Sequence, residues 1–167
     1  MTLNEFNHAN ADLLRPMLLA CAAVASWVDG IIAARPFIGL DELLAFADDR
    51  ARCWTAIQVD EALSHHPRIG ERREAQDADA EHSRREQPSL GDRDGRLKMA
   101  LKADNREYEA KFGRIFLIRA AGRSGEEILA CLRRRLRNDA EQELLETARQ
   151  LREIALLRLR QGVSEWG

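Results

Sequence analysis

Apolar side chains recur every three or four positions along most of the chain, which is the spacing of an amphipathic helix. Asn10 can cap a first helix that runs through Leu13 and Leu19, with Pro16 in its early turns. The same spacing predicts later helices at residues 39–49, 58–65, 97–111, 125–136 and 141–160. Because no alternating strand pattern competes with it, the predicted fold class is all-α, a helical bundle.

Between two of these helices lies a short apolar run, Ile115-Phe116-Leu117-Ile118. Its length suits a buried, extended connector better than a helix, so residues 112–120 are predicted to link two helices. Ser124 and Glu127 follow with the spacing of a capping box, in which each side chain accepts a hydrogen bond from the other residue's amide. The connector is therefore expected to lead into a well-capped helix.

Residues 70–95 differ from the rest of the chain. They carry thirteen charged positions, and their only apolar residues are Ala75, Ala78, Ala80 and Leu90. Such a composition predicts a flexible, solvated loop. No internal repeat or domain-sized change in composition is visible, so residues 1–167 are predicted to form a single domain.

Composition and charge narrow the function classes. The chain is 45% hydrophobic and 32% charged, which suits an ordinary globular protein. Its 26 Lys and Arg against 28 Asp and Glu give a net charge of −2, and aromatic residues make up only 5%. A nucleic-acid partner is therefore not expected, because it would require clustered cations and stacking rings.

The cysteines and the apolar runs predict a cytoplasmic protein. Cys21, Cys53 and Cys131 are odd in number and widely spaced, with no Cys-x-x-Cys pair, so free thiols are expected. The first residues lack a signal-peptide pattern, and the longest apolar run, 17–25, is too short for a membrane span. His8 and His82 have no acidic neighbours at ligand spacing, so no metal site is predicted.

His66 is the first candidate for chemistry. Pro67 disfavours helical backbone angles at His66, so the preceding helix should end there. The helix dipole favours a protonated imidazole at that end, which suits a proton donor near neutral pH. The alternative is a capping histidine on the surface.

Two further features have both a ligand-binding and a structural interpretation. Ser83-Arg84-Arg85-Glu86-Gln87 can hold Glu86 and Gln87 towards a ligand, and it is equally a capping box for a short helix. Arg158 falls on the apolar stripe of the last helix, where it requires an anionic partner unless its stem extends to solvent. By contrast, the run 133–135 with Arg137 is predicted to be a solvated helix face.

Taken together, these features resemble the OHCU decarboxylase family (2-oxo-4-hydroxy-4-carboxy-5-ureidoimidazoline decarboxylase). Each piece is short, but their order and spacing extend over nearly the whole chain. The resemblance is carried by Phe6-Asn7, Ala34-Arg35-Pro36-Phe37, His66-Pro67-Arg68-Ile69-Gly70, Ser83 with Glu86-Gln87, Asn105, Tyr108, Phe112-Gly113, Gly122-Arg123-Ser124, Arg135-Leu136, Asn138, Glu143, Ile154-Ala155 and Leu157-Arg158-Leu159. The chain departs from many members at Arg114-Ile115, where they carry Phe-Pro, and at Pro88-Ser89 after Gln87.

The resemblance implies an all-helical, often dimeric enzyme that decarboxylates a small ureidoimidazoline carboxylate without a cofactor, in urate breakdown. His66, the histidine directly before proline, matches the family's active-site histidine, and Glu86 is the second implied catalytic residue. The implied substrate contacts are Pro67, Ser83, Arg84, Arg85, Gln87, Ile118, Arg119, Ala120, Ala121, Gly122 and Arg158. Two rivals remain: a binding module that has lost catalysis, and an enzyme that hydrolyses a related ring.

Overall fold

The computed structural model describes residues 1–64, 66, 69 and 88–165. Within these ranges the regular secondary structure is helical, apart from an isolated bridge between Thr2 and Ser164. The predicted all-α class is confirmed. The helices are α1 (Leu3–His8), α2 (Ala11–Cys21), α3 (Ala25–Ala33), α4 (Leu40–Ala51), α5 (Ala56–Ser64), α6 (Pro88–Phe112), α7 (Gly125–Arg135) and α8 (Ala140–Gly162).

Every helix predicted from the spacing is present, with its ends moved by a few residues, except at the start of α6. That helix begins at Pro88, so the loop predicted for residues 70–95 is wrong over its last eight positions, 88–95. Proline suits the first helical position, where the missing amide has no intrahelical partner. The remainder of the predicted loop, residues 70–87, lies outside the described residues.

Helices α1 and α3 were not predicted. Thr2 and Glu5 form a capping box at the start of α1, the same signal that predicted α7. Helix α3 has no side-chain cap at Val24 and contains Gly30, so its local signals are poor. It is helical because that arrangement buries Trp27 and Val28 in the core.

The chain divides into two compact units, residues 1–65 with 146–167, and residues 66–145. In the first unit, α2 packs against α3, and α3 against α4. Trp27 is 2% exposed, donates from Nε1 to the Ala47 carbonyl at 2.9 Å, and meets Trp54 edge-on with ring centroids 5.9 Å apart. In the second unit, α6 packs against α7. No helix among the described residues is long and apolar enough to cross a membrane.

A polar clamp holds the turn between α3 and α4. The Asn7 side chain donates to the Phe37 carbonyl at 2.8 Å and accepts from the Phe37 amide at 2.9 Å. Arg35 donates to the carbonyls of Phe6 at 2.9 Å and Ala9 at 2.7 Å, at the C-terminal end of α1. These contacts satisfy backbone groups that have no helical partner. They give a structural role to Asn7 and Arg35, two of the residues that carry the family resemblance.

Replacing Asn7 with Ala is expected to lower the free energy of unfolding by about 1–3 kcal/mol, because a part-buried amide and carbonyl lose their partner. Urea denaturation measures the change. The matched control is Asn4→Ala on the same helix, where the side chain is exposed and a change within about 0.5 kcal/mol is expected. Equal effects of the two substitutions would contradict the clamp.

Candidate functional site

His66 lies two residues beyond the end of α5, in a bend, and is half-buried. The prediction that the preceding helix ends before the proline is confirmed, since Ser64 is its last residue. Ile69, three residues further on, packs against the apolar cluster that contains Phe116 and Ile118. Because three residues span at most roughly 11 Å, the chain ties His66 to the core that carries the connector.

The connector between α6 and α7 is non-helical, as the sequence predicted. Phe116, Leu117 and Ile118 are buried, with Ile118 only 3% exposed. Arg119 is half-buried, and the next residues, Ala120, Ala121 and Gly122, are exposed. The chain therefore runs from the apolar core to the surface within residues 118–122, which the family resemblance implies to be substrate contacts.

Two glycines with positive φ bracket this connector. Gly113, at φ 67°, ends α6, and its amide donates to the Glu109 carbonyl at 2.9 Å. Gly122, at φ 77°, stands third in a turn closed by the Arg123 amide and the Ala120 carbonyl at 3.0 Å. That is the position where a type II turn requires a left-handed residue. Within the described part of the chain, the amides of Ala120, Ala121 and Gly122 donate to no protein group.

A buried ion pair lies directly behind the connector. Arg135, the last residue of α7, is 1% exposed, and Glu143, in the first turn of α8, is fully buried. Arg135 Nε and Nη2 donate to Glu143 Oε1 at 2.8 and 2.5 Å. The remaining terminal nitrogen, Nη1, donates to the Leu117 carbonyl at 2.7 Å, next to Ile118. The guanidinium thus joins a helix end to the middle of the connector.

Other side chains complete this network. The Tyr108 hydroxyl donates to Glu143 Oε1, and the Asn138 amide donates to Glu143 Oε2 at 2.9 Å. The guanidinium carbon of Arg135 lies 4.7 Å from the Phe116 ring centroid, within cation–π range. Both charges are therefore paired and hydrogen-bonded, which is the condition for burying them.

The prediction of a solvated face for the arginine run is wrong at Arg135. Arg133 and Arg134 are exposed as expected, but Arg135 continues the buried stripe of Ile128 and Leu132 at helical spacing. The helical-wheel test that singled out Arg158 would have found it. This network is the feature of the site that the sequence interpretation missed.

Arg158 belongs to the first unit, on the half-buried flank of a stripe formed by Leu151, Ala155 and Leu159. Its Nη1 donates to the carbonyls of Ala20 at 2.9 Å and Cys21 at 3.4 Å. These contacts place the guanidinium at the negative end of α2, whose last carbonyls lack helical donors. An anionic partner for Arg158 stays a prediction.

Cys21 lies beside this arginine and is buried. Burial raises the pKa of its thiol to about 11, and the positive charge of Arg158 opposes that rise. A neutral thiol in such surroundings is inert rather than nucleophilic. Cys21 is therefore assigned to the core of the first unit.

Several predicted site residues lie outside the described residues: Pro67, Ser83, Arg84, Arg85, Glu86 and Gln87. Of those described, Ile118–Gly122 lie together in the connector, His66 is in the same unit, and Arg158 is in the other. In the ranges that the structure describes, no group of three His, Cys, Asp or Glu side chains is placed to hold a metal ion.

Comparisons with known proteins give a consistent result. The model of the OHCU decarboxylase family matches residues 7–160. The crystal structure of an OHCU decarboxylase in the presence of (S)-allantoin is 26% identical, with a TM-score of 0.66 over 85% of this chain and 93% of that one. No match was found among curated proteins.

The crystal structure of an (S)-allantoin synthase is also similar, with a TM-score of 0.69 and 16% identity. The alignment covers 98% of this chain but 54% of that one. At this identity the likeness shows a shared fold alone.

Replacing Arg135 with Met is expected to lower the free energy of unfolding by about 3–5 kcal/mol, because it leaves the Glu143 carboxylate buried without its cation. The double variant Arg135→Met/Glu143→Leu should recover a large part of that loss. Urea denaturation compares them with Arg133→Met, whose exposed pair with Asp104 should change stability by less than about 1 kcal/mol. A double variant no more stable than Arg135→Met would contradict the pairing.

The Cys21 thiol is expected to resist alkylation in the folded protein. At pH 8, a pKa of about 11 rather than 9.0 lowers the thiolate fraction roughly 100-fold. The variant Cys53→Ser/Cys131→Ser leaves Cys21 as the single thiol, and its labelling rate is compared with and without urea. Equal labelling rates in the folded and the urea-unfolded protein would contradict the burial of Cys21.

The raised pKa of the Cys21 thiol also makes stability depend on pH. The stability that the neutral thiol contributes is complete below pH 9 and is lost as the pH rises through about 11.

Proposed function

The chain belongs to the OHCU decarboxylase family and is a carboxy-lyase of purine catabolism. We propose that it converts 2-oxo-4-hydroxy-4-carboxy-5-ureidoimidazoline to (S)-allantoin. The reaction needs no cofactor in this proposal, because the substrate carries its own electron sink. When the carboxylate leaves as carbon dioxide, the electron pair of the broken bond forms a double bond to the neighbouring carbon, and the carbon–nitrogen π electrons move to the nitrogen, which takes up a proton. The hydroxyl on the carbon that lost the carboxylate then gives up its proton and becomes the carbonyl of the product, as the neighbouring carbon is protonated.

His66 is the acid–base group in this proposal. It either takes the hydroxyl proton or delivers the proton that creates the new stereocentre. Delivery to one face of the ring, from a group held on one side, gives a single enantiomer. A positioned proton transfer of this kind typically contributes 10²- to 10⁴-fold to the rate.

The other proposed site residues hold the substrate in position. The amides of residues 118–122 hold the ureido and ring carbonyls, and Gln87 contributes to the same contacts. Glu86 orients the imidazole or the substrate, and Arg158 binds an anionic or carbonyl oxygen. Pro67, Ser83, Arg84 and Arg85 complete the proposed contacts. The assignments of Glu86 and Gln87 rest on the family resemblance alone.

One observation carries the assignment of His66 and the connector to one site. Ile69, three residues after His66, packs on the cluster that also buries Ile118, two residues before the exposed part of the connector. A half-buried imidazole is thereby tied to a stretch of backbone whose exposed amides can donate to a ligand. A histidine with backbone donors is what a cofactor-free decarboxylation of this substrate requires.

The proposal extends to the organisation of the protein. Residues 1–167 form one OHCU decarboxylase-like domain, which the match over residues 7–160 supports. We further propose a cytoplasmic homodimer, on the family resemblance for the dimer and the scattered cysteines for the compartment.

The test generates the unstable substrate in place, from urate with uricase and the hydrolase that follows it. Circular dichroism then follows the appearance of optically active (S)-allantoin. The wild-type protein should accelerate it, and His66→Asn should lose about 10²- to 10⁴-fold in rate with its thermal unfolding unchanged. Glu86→Ala is expected to lose most activity as well.

The matched control is His8→Asn, because His8 is exposed on α1, where its ring Nδ1 forms a hydrogen bond with the Asn4 carbonyl. It should retain wild-type activity. Product that forms at the spontaneous, racemic rate with the wild-type protein would contradict the function. Normal turnover in His66→Asn would contradict the role of His66 alone.

A further inference from the structure

The connector has no regular secondary structure, so side chains from other elements must set its position. Between Gly113 and Gly122, its backbone groups cannot pair in a helix. Besides the packing of Phe116 and Ile118, its middle is held by the 2.7 Å hydrogen bond from Arg135 Nη1 to the Leu117 carbonyl. Leu117 is 6% exposed, so its carbonyl needs a protein donor.

We propose that Arg135 is a positioning residue for the reaction: through Leu117 it sets the place of the backbone amides at residues 118–122 that bind the substrate. This inference rests on the proposed function. Arg135 touches no substrate in this proposal and acts only through the connector.

The surroundings of Arg135 give its guanidinium one orientation. Nε and Nη2 are committed to Glu143, and the Phe116 ring, itself part of the connector, lies 4.7 Å from the guanidinium carbon. Glu143 is held in turn by Tyr108 from α6 and Asn138 from the turn after α7. That turn is fixed because Lys111 donates to the carbonyls of Leu136 at 2.6 Å and Asn138 at 2.9 Å. Residues of α6, α7 and α8 thus determine the position of the connector through Arg135.

An arginine is required here for its geometry and not only for its charge. The planar guanidinium donates in two directions at once, along one edge to Glu143 and from Nη1 to Leu117. A lysine ammonium is a compact point charge without the planar fork, so it can pair with the buried carboxylate but does not reproduce both directions of donation. A buried ion pair is weak evidence for a stabilising role, whereas fixing one arrangement is a better attested use.

The experiment compares Arg135→Lys with Arg135→Met and Arg133→Lys. Lysine should restore most of the stability that methionine loses, because it keeps a cation opposite Glu143. It should nevertheless lower kcat/KM by about 10- to 100-fold, the cost of misplacing binding groups by about 1 Å. The affinity of Arg135→Lys for (S)-allantoin should also be weaker than that of the wild type. The pH dependence of kcat should stay unchanged, because the acid–base group His66 is not altered. Arg133→Lys, on the exposed face of the same helix, should match the wild type.

A second readout does not depend on activity. The ¹H–¹⁵N resonances of Ala120, Ala121 and Gly122 should shift in ligand-free Arg135→Lys and stay in place in Arg133→Lys. Unchanged resonances, or wild-type kcat/KM in folded Arg135→Lys, would overturn the positioning role. A wild-type protein that makes no (S)-allantoin would contradict the proposed function, and the resonances would still decide whether Arg135 positions the connector.

Asn7→Ala serves as a control for stability. It weakens the first unit through the clamp at Phe37, whereas the connector and Arg135 belong to the second unit. If a general loss of stability lowers the activity of Arg135→Lys, an Asn7→Ala protein that loses as much unfolding free energy should lose kcat/KM to the same extent. That result would contradict the inference. Wild-type kcat/KM in Asn7→Ala supports it.

Discussion

The ion pair between Arg135 and Glu143 is the interaction on which the second unit depends. Both side chains are removed from water, which is unfavourable unless every donor and acceptor has a partner. The further partners of the pair come from α6, the turn after α7 and the connector, so the pair is satisfied only when these three segments meet α7 and α8. This dependence makes the pair a device for specifying one arrangement of these segments.

The connector explains why such a device is needed. A helix satisfies its own backbone, but a non-helical stretch buried in a core must find its donors elsewhere. Arg135 supplies one at Leu117, and the positive-φ glycines 113 and 122 let the chain leave one helix and approach the next. Ala120, Ala121 and Gly122 are exposed, and their amides donate to no group in the part of the chain that the structure describes. Backbone amides of this kind are a general means of binding carbonyl and anionic groups.

When the substrate carries its own electron sink, the main task of the protein in decarboxylation is to hold the reacting groups in the right position and orientation. One proton must reach one face of a ring whose carbonyls are held still. In the proposed site, the half-buried His66 and the connector are tied to one apolar cluster, His66 through Ile69 and the connector through Phe116 and Ile118. In the first unit, Arg158 donates to the carbonyls at the C-terminal end of α2, and these contacts help to orient its guanidinium.

The amino-acid sequence by itself determined the features that depend on neighbours within a few positions. Helical spacing predicted α2 and α4 to α8, the Ser124–Glu127 box predicted the start of α7, and the run at 115–118 predicted a buried connector. Motif order along the chain was enough to indicate the family. Tertiary structure decided the rest: α3, whose own signals are poor, is helical because it buries Trp27. Arg135 is buried because Glu143 and the Leu117 carbonyl meet it. The spacing on α7 could have indicated that Arg135 faces the core, but the partners that make its burial possible are brought near only by folding.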